Sequence, residues 1–270
     1  MIKDILTKKE IVLFIILSGV FISTALISEM IGVKIFSLEK TFGFEPTNFH
    51  FFDQKGLSFN LTIGVILWPV VFIMTDIINE YYGKHGVRFL SYLTVVLIAF
   101  AFLMFYLAIN VVPADFWPQS HIHSDYSATE KQFILNKVGD LNYAYKLILG
   151  QGAWIIVGSL IAFLIGQFID VIVFQRIKIV TGENKIWLRA TGSTIISQLI
   201  DSFVVLFIAF YIGAGWDFNL VLAIGLMNYI YKFTIAIILT PLIYILHDII
   251  EKYLGDDLAS KMRYAALHNL

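Results

Sequence analysis

Four charged side chains stand in stretches that are otherwise apolar: Asp76, Asp170, Asp201 and Lys232. At the centre of a membrane helix each costs roughly 2.5–3.5 kcal/mol, or about 10–14 kcal/mol for the four if nothing compensates them. Such groups face a bundle interior or a cavity, where they pair with one another or hold a ligand. Amides accompany them: Asn79, Gln151, Gln167, Gln198 and Asn228. Gln167-Phe168-Ile169-Asp170 and Gln198-Leu199-Ile200-Asp201 are the same pattern, 31 residues apart. Residues i and i+3 share a helix face, so each pattern sets an amide beside a carboxylate. Asp76, Asn79 and Glu80 repeat the idea, although Glu80, like Glu29, sits at the end of an apolar run within easy reach of water. Two chemistries fit. One is interhelical hydrogen bonding, worth about 0.6–2 kcal/mol per contact; the other is a binding site for a polar substrate.

The elements that carry these residues follow from composition. Of 270 residues, 59% are hydrophobic and 14% charged, with net charge −1 and no cysteine. Ordinary soluble domains are about 45–50% apolar and 25% charged. A water-soluble enzyme, a disordered chain and a nucleic-acid binder are therefore excluded, and lipid is the expected solvent. The missing cysteine removes disulfides, thiolate zinc sites, iron–sulfur clusters and a thiol nucleophile. Membrane helices need about 20 mostly apolar residues. Six runs qualify, at roughly 11–28, 60–80, 88–112, 147–174, 191–213 and 220–247. They are continuous and lack strand-type alternation, which disfavours a barrel. The fold class expected is an all-α integral membrane protein of six transmembrane helices, one transporter-type domain over 1–270. The first run is expected to be kept as a helix rather than removed as a signal peptide.

Lys and Arg set the orientation. With the N-terminus inside, inner segments carry twelve of them, including Arg176, Lys178, Lys185 and Arg189, and outer segments six. N-in/C-in is the expected topology. At a rise of 1.5 Å per residue, Gln167 and Gln198 lie at one depth, with Asp76 and Asp170 about a turn nearer the inner side. Asp201 and Lys232 both fall near the midplane, as an ion pair would. Pro69 and Pro241 fall inside spans and are expected to kink them. Gly158, Ala162 and Gly166 make a small-residue stripe for close helix packing. Trp68 is either core or a stacking surface. Two outer segments are long, Ser37–Phe59 and Pro113–Lys146, and each is expected to cap a site or lie on the membrane. His121 and His123 in the second have no acidic partner at helical spacing and read as exposed loop, with no metal site expected.

These residues resemble the bacterial queuosine-precursor transporter family, of the vitamin-uptake class. The likeness rests on Gly64-Val65-Ile66-Leu67-Trp68-Pro69 with Thr75-Asp76-Ile77-Ile78-Asn79-Glu80-Tyr81-Tyr82-Gly83, Gly166-Gln167-Phe168-Ile169-Asp170-Val171, Trp187-Leu188-Arg189, Ser193 through Ser202, and Tyr229-Ile230-Tyr231-Lys232 with Pro241 and Tyr244. It departs where Trp68 stands for a usual Phe and Ser202 for a usual Thr. The resemblance implies import of a 7-deazaguanine, 7-cyano-7-deazaguanine or its aminomethyl form, across the bacterial cytoplasmic (inner) membrane, by a multi-pass protein.

That substrate suits the side chains. A guanine-type edge offers adjacent N–H donors that one carboxylate accepts in a bidentate way. Its carbonyl oxygen takes a donor from Gln or Lys, and its ring takes an aromatic face. The expected substrate-binding residues are Trp68, Asp76, Gln167, Asp170, Gln198, Asp201, Asn228, Tyr229 and Lys232, among the second, fourth, fifth and sixth spans. Asp201 or Asp170 would take the N–H edge. No cofactor and no catalytic residue are expected; the partners are the small molecule, lipid and, as an open possibility, a second copy of the chain. Rival readings are a substrate-capturing subunit of an energy-coupling-factor transporter, an intramembrane enzyme, for which no zinc-protease or serine-protease motif occurs, and a structural scaffold.

Overall fold

The computed structural model describes residues 7–120, 122, 125–182 and 185–268. His121 and His123 lie outside the described residues. Five described helical stretches are long and apolar enough to cross a membrane: Lys9–Ile31, Trp68–Asn110, Leu141–Thr181, Ile186–Ile212 and Phe218–Ile238. The contacts group the chain into two compact units, one of residues 1–96 with 153–270 and one of residues 97–152.

In the first unit, α1 (Lys9–Ile31) ends at Gly32. The segment that follows is built largely from strands. β1 (Ile35–Ser37), β2 (Phe49–Phe51), β3 (Gln54–Leu57) and β4 (Asn60–Thr62) form two antiparallel pairs, β1 with β4 and β2 with β3. The second span therefore does not begin as a helix at Asn60: strand β4 and a 3-10 turn, Ile63–Ile66, precede it. The buried Glu39 carboxylate ties the segment together, accepting from the Phe59 amide and the Thr47 hydroxyl, both at 2.9 Å. Burial opposes its charge, but these hydrogen bonds outweigh burial and hold its carboxyl below the ordinary value. Its contribution to stability is thus present above the unfolded carboxylate pKa and lost as pH falls through the lowered folded one. Glu39→Ala is expected to raise hydrogen exchange at the Phe59 amide and protease sensitivity over residues 43–58, at a cost of about 1.5–3 kcal/mol locally. Unchanged exchange would count against this anchoring role.

α2 (Trp68–Asn110) is broken at Gly83, where φ is 66° and ψ −172°. Thr75 and Tyr92 would stand about 25 Å apart on a straight helix. Yet Thr75 donates to Gln167 at 2.9 Å, and the Tyr92 ring lies 5.5 Å from that of Phe168. The arms on either side of Gly83 thus reach the same level of one neighbouring helix. Only glycine adopts this φ without strain, and an added Cβ would meet the Ala266 carbonyl at 2.8 Å. Pro69 does not kink the helix. It sits in the first turn, where no amide hydrogen is required.

α3 (Ala153–Thr181) and α4 (Ile186–Leu206) make the most extensive helix contact of the unit. The small-residue stripe explains the approach: a Cβ on Gly158 would stand 3.1 Å from the Val205 carbonyl, and one on Gly166 3.5 Å from Asp201 Cβ. α3 begins at Ala153 rather than at Leu147, because residues 150–152 are not helical. α4 runs on into a π-helical turn, Phe207–Ile212. α5 (Phe218–Ile238) is capped by Asp217, which accepts from the Asn219 and Leu220 amides. It stops at Leu239, and Pro241 opens α6 (Thr240–Leu254), so the expected kink is a helix boundary. The amphipathic α7 (Asp256–His268) closes the chain's described part.

The second unit holds the end of α2, the short helices Ala128–Val138 and Leu141–Leu149, and the edge-on contact of Trp117 with Tyr145. Ser127 and Glu130 form a reciprocal capping box. The Ser127 side-chain and backbone hydrogen bonds hold the exposed Glu130 carboxyl below its ordinary value. The long outer segment expected between Pro113 and Lys146 is therefore largely helical.

Candidate functional site

A cavity lies between α2, α4, α5 and α6. Its walls are mostly apolar, from Val65, Pro69, Phe72, Ile73, Ile235 and Leu239 among others, with Trp68 as the large aromatic face. Trp68 is held by Phe163, 5.6 Å between ring centroids, and by Phe72 at 6.3 Å. Few polar groups enter: the Asp76 carboxylate, the Gln198 amide, the Lys232 ammonium and the hydroxyls of Thr191 and Thr194. On α4 these are positions i, i+3 and i+7 (Thr191, Thr194, Gln198), one face of a helix. The ratio of apolar wall to convergent polar groups matches small-molecule sites.

Gln198 is the exceptional group. It is 2% exposed, and neither its amide nitrogen nor its oxygen has a hydrogen-bond partner. Leaving a buried polar atom unmet costs about 1–3 kcal/mol. Natural proteins keep such atoms where something else satisfies them. Gln198 thus offers the cavity one donor and one acceptor on the same side chain. Lys232 donates to Asp201 at 2.5 Å, the ion pair expected from depth. Asp201 itself lies behind the lysine and is absent from the cavity wall.

A polar layer backs the cavity. Asp76 and Asp170 are 2% and 0% exposed and both lean on α4. The Ser193 and Thr194 hydroxyls lie 3.5 Å from the two oxygens of Asp76, and that of Ser197 3.0 Å from Asp170. Gln167 accepts from Thr75, and Gln175 donates to Asn79 at 2.6 Å. Asn228 spends its amide on the Ile224 carbonyl at 3.0 Å, one turn back on its own helix. Tyr229 packs toward Phe233. So the cavity gathers Trp68, Asp76, Gln198 and Lys232; Asp170, Gln167 and Asp201 stand behind it, and Asn228 and Tyr229 line no part of it.

Glu80 departs most from expectation. It does not reach water but is 0% exposed, with Arg189 Nη2 donating at 2.7 Å and Nε at 3.0 Å, and Lys178 at 3.1 Å. Lys178 and Arg189, read from sequence as loop charges, are 1% and 0% exposed. Single-helix spacing signals neither cation, because their partner lies about a hundred residues away. Beside them the Arg263 and Glu251 side chains pair, and His247 stands 3.5 Å from Glu251. Among the described residues no group of three or more His, Cys, Asp or Glu is placed to hold a metal ion.

Long apolar helices enclosing a sparse polar cavity define a multi-pass membrane protein of the transporter class. Residues 62–246 match the family described as "Putative vitamin uptake transporter", and the chain belongs to that family. It is 30% identical to the "Probable queuosine precursor transporter" of Bacillus subtilis, over 68% of this chain and 70% of that protein. The Haemophilus influenzae protein of the same name is 25% identical, over 67% and 66%. The "Queuosine precursor transporter" of Escherichia coli is 26% identical, over 74% and 79%. These relatives are transporters, not enzymes. No solved structure matches the chain.

Proposed function

We propose that this protein imports a queuosine precursor, 7-cyano-7-deazaguanine or 7-aminomethyl-7-deazaguanine, across the bacterial cytoplasmic membrane through the cavity between α2, α4, α5 and α6. The observation that carries this reading is the unmet Gln198 amide beside the Asp76 carboxylate on the wall that Trp68 completes. Asp76 accepts the adjacent N–H donors of the guanine-type edge. Gln198 donates to the ring carbonyl and accepts from a ring N–H. Trp68 stacks on the flat face, and Lys232 donates to the remaining acceptor. Asp76 takes the part first expected of Asp170 or Asp201, because it is the carboxylate at the cavity wall. Each arm of α2 is one span, which makes six, with both ends on the inner side.

The test is uptake of labelled precursor, and queuosine in tRNA, in cells unable to make the precursor. Asp76→Asn and Gln198→Ala each lower uptake at least tenfold, as losing a hydrogen bond to a charged or unpaired buried group implies. Uptake that survives Asp76→Ala, Gln198→Ala and Lys232→Ala together would sink the site. Transport by the purified chain alone in liposomes separates this reading from that of a capture subunit needing an ATPase partner.

A further inference from the structure

The carboxyl pair formed by Asp76 at the cavity wall and Asp170 behind it poses a hydrogen-bonding problem that a substrate alone does not solve. Ser193 has one hydrogen and two acceptors in reach: the Ala190 carbonyl at 3.0 Å and Asp76 Oδ1 at 3.5 Å. The shorter contact claims the hydrogen, which turns a hydroxyl lone pair toward the carboxylate. Ser197 differs: Asp170 Oδ1 at 3.0 Å is its nearer acceptor and the Thr194 carbonyl stands at 3.1 Å, so its hydrogen serves Asp170. The other oxygen of Asp170 is fully buried and has no partner. A proton on Asp76 would be donated to the Ser193 lone pair, and one on Asp170 sits on the unpartnered oxygen while the other still accepts from Ser197. Asp76 and Asp170 are both buried against hydroxyls of the same stretch of α4, Ser193 to Ser197, and two carboxylates sharing so apolar an interior do not both ionise.

The surrounding charges do not supply a cation. On α2, Glu80 follows one turn after Asp76, but its charge is taken by Arg189 of α4 and Lys178 of α3. Lys232 of α5 is taken by Asp201 of α4. α6 brings Ile243 to the cavity and the α5–α6 boundary brings Leu239, neither of them ionisable. We infer that Asp76 and Asp170 together form a proton site, and that the protein carries one proton with each substrate molecule. This rests on the cavity being the substrate site.

The coupling follows from the geometry. Asp76 takes the substrate's N–H edge as a carboxylate, which moves the shared proton onto Asp170. Closing the loaded site without that proton would bury two negative charges. The proton enters with the substrate on the outer side, and both leave on the inner side, so no bond of the substrate changes. The Ser193 hydroxyl, already donating to the Ala190 carbonyl, and the unpartnered Asp170 oxygen suit a carboxyl proton; a sodium ion is the competing occupant.

The purified full chain tests this twice. Infrared difference spectra between wild type and Asp170→Asn show the C=O stretch of a protonated carboxyl at neutral pH, lost in the variant and titrating in the wild type. No difference band overturns the proton site, whatever the substrate. In proteoliposomes with labelled 7-aminomethyl-7-deazaguanine, an inside-alkaline gradient raises wild-type accumulation several-fold above equilibration. Asp170→Asn loses that rise yet keeps exchange of labelled for unlabelled substrate without a gradient. Accumulation that ignores pH, follows sodium, or persists in Asp170→Asn overturns the coupling. Absence of all deazaguanine exchange in the wild type refutes the substrate reading instead, and the infrared result then decides the proton site alone. Should Asp170→Asn fail to fold, Ser197→Ala shifts the band and the pH dependence in its place.

Discussion

Glu80→Gln will lower the thermal midpoint of the purified protein more than any change at the cavity wall. The carboxylate receives three contacts from two cations, all side chains 0–2% exposed. Arg189 also donates to the Gly182 carbonyl at 3.0 Å, and Lys178 to the Glu80 carbonyl at 2.9 Å. Those backbone contacts fix both cations where they are. Removing the charge between them leaves two buried cations without a counter-ion, and breaking a buried pair in this way costs about 3–5 kcal/mol. Replacing Glu80 and Arg189 together by Met costs less than the sum of the single changes, because one of the two stranded cations is removed along with its partner and only Lys178 remains. The measurement is thermal unfolding in detergent across the double-mutant cycle. A midpoint for Glu80→Gln equal to wild type would show that the network contributes nothing net. The network joins α2, α3 and α4 at one end of the cavity, so its loss also lowers yield in the membrane before any transport assay is run.

What was legible in the sequence was the part that helix geometry controls. The Asp201–Lys232 pair follows from equal depth, and the tight α3–α4 seam from glycines and alanine four residues apart. The Gln-x-x-Asp repeat correctly marked α3 and α4 as the polar helices. Which of its members reach the cavity was not legible, because that depends on how long the cavity is. On α4 the wall runs from Thr191 to Gln198 and stops one turn before Asp201; on α5 it begins at Lys232, one turn after Asn228 and Tyr229. That Ser193, Thr194 and Ser197 meet Asp76 and Asp170 was not legible, because hydroxyls in membrane helices usually bond their own backbone. The Glu80 cluster escaped notice because positive residues near span ends look the same whether they face water or a buried acid. The turn at Gly83 takes a single residue where the runs 60–80 and 88–112 leave a loop between them.

Lys232→Met will abolish accumulation of the precursor, and the double change Lys232→Met with Asp201→Leu will restore the fold without restoring transport. Lys232 and Asp201 are only 14% and 17% exposed, so the single change strands a carboxylate in a low-dielectric interior. Truncating one member of such a pair costs about 2–5 kcal/mol, most of it from the partner left behind. Removing both charges with residues of similar volume is often neutral, since the pair had to be desolvated in the first place. Thermal stability should therefore recover in the double variant. Transport should not, because Lys232 is the only ammonium among the residues that line the cavity, and Asp201 does nothing there except hold it. The difference between the two readouts separates a lysine that touches substrate from one that merely joins α4 to α5. Recovery of both stability and uptake in the double variant would reduce the pair to a structural clasp. Recovery of stability alone assigns to Lys232 a substrate contact that no pairing of charges between helices explains.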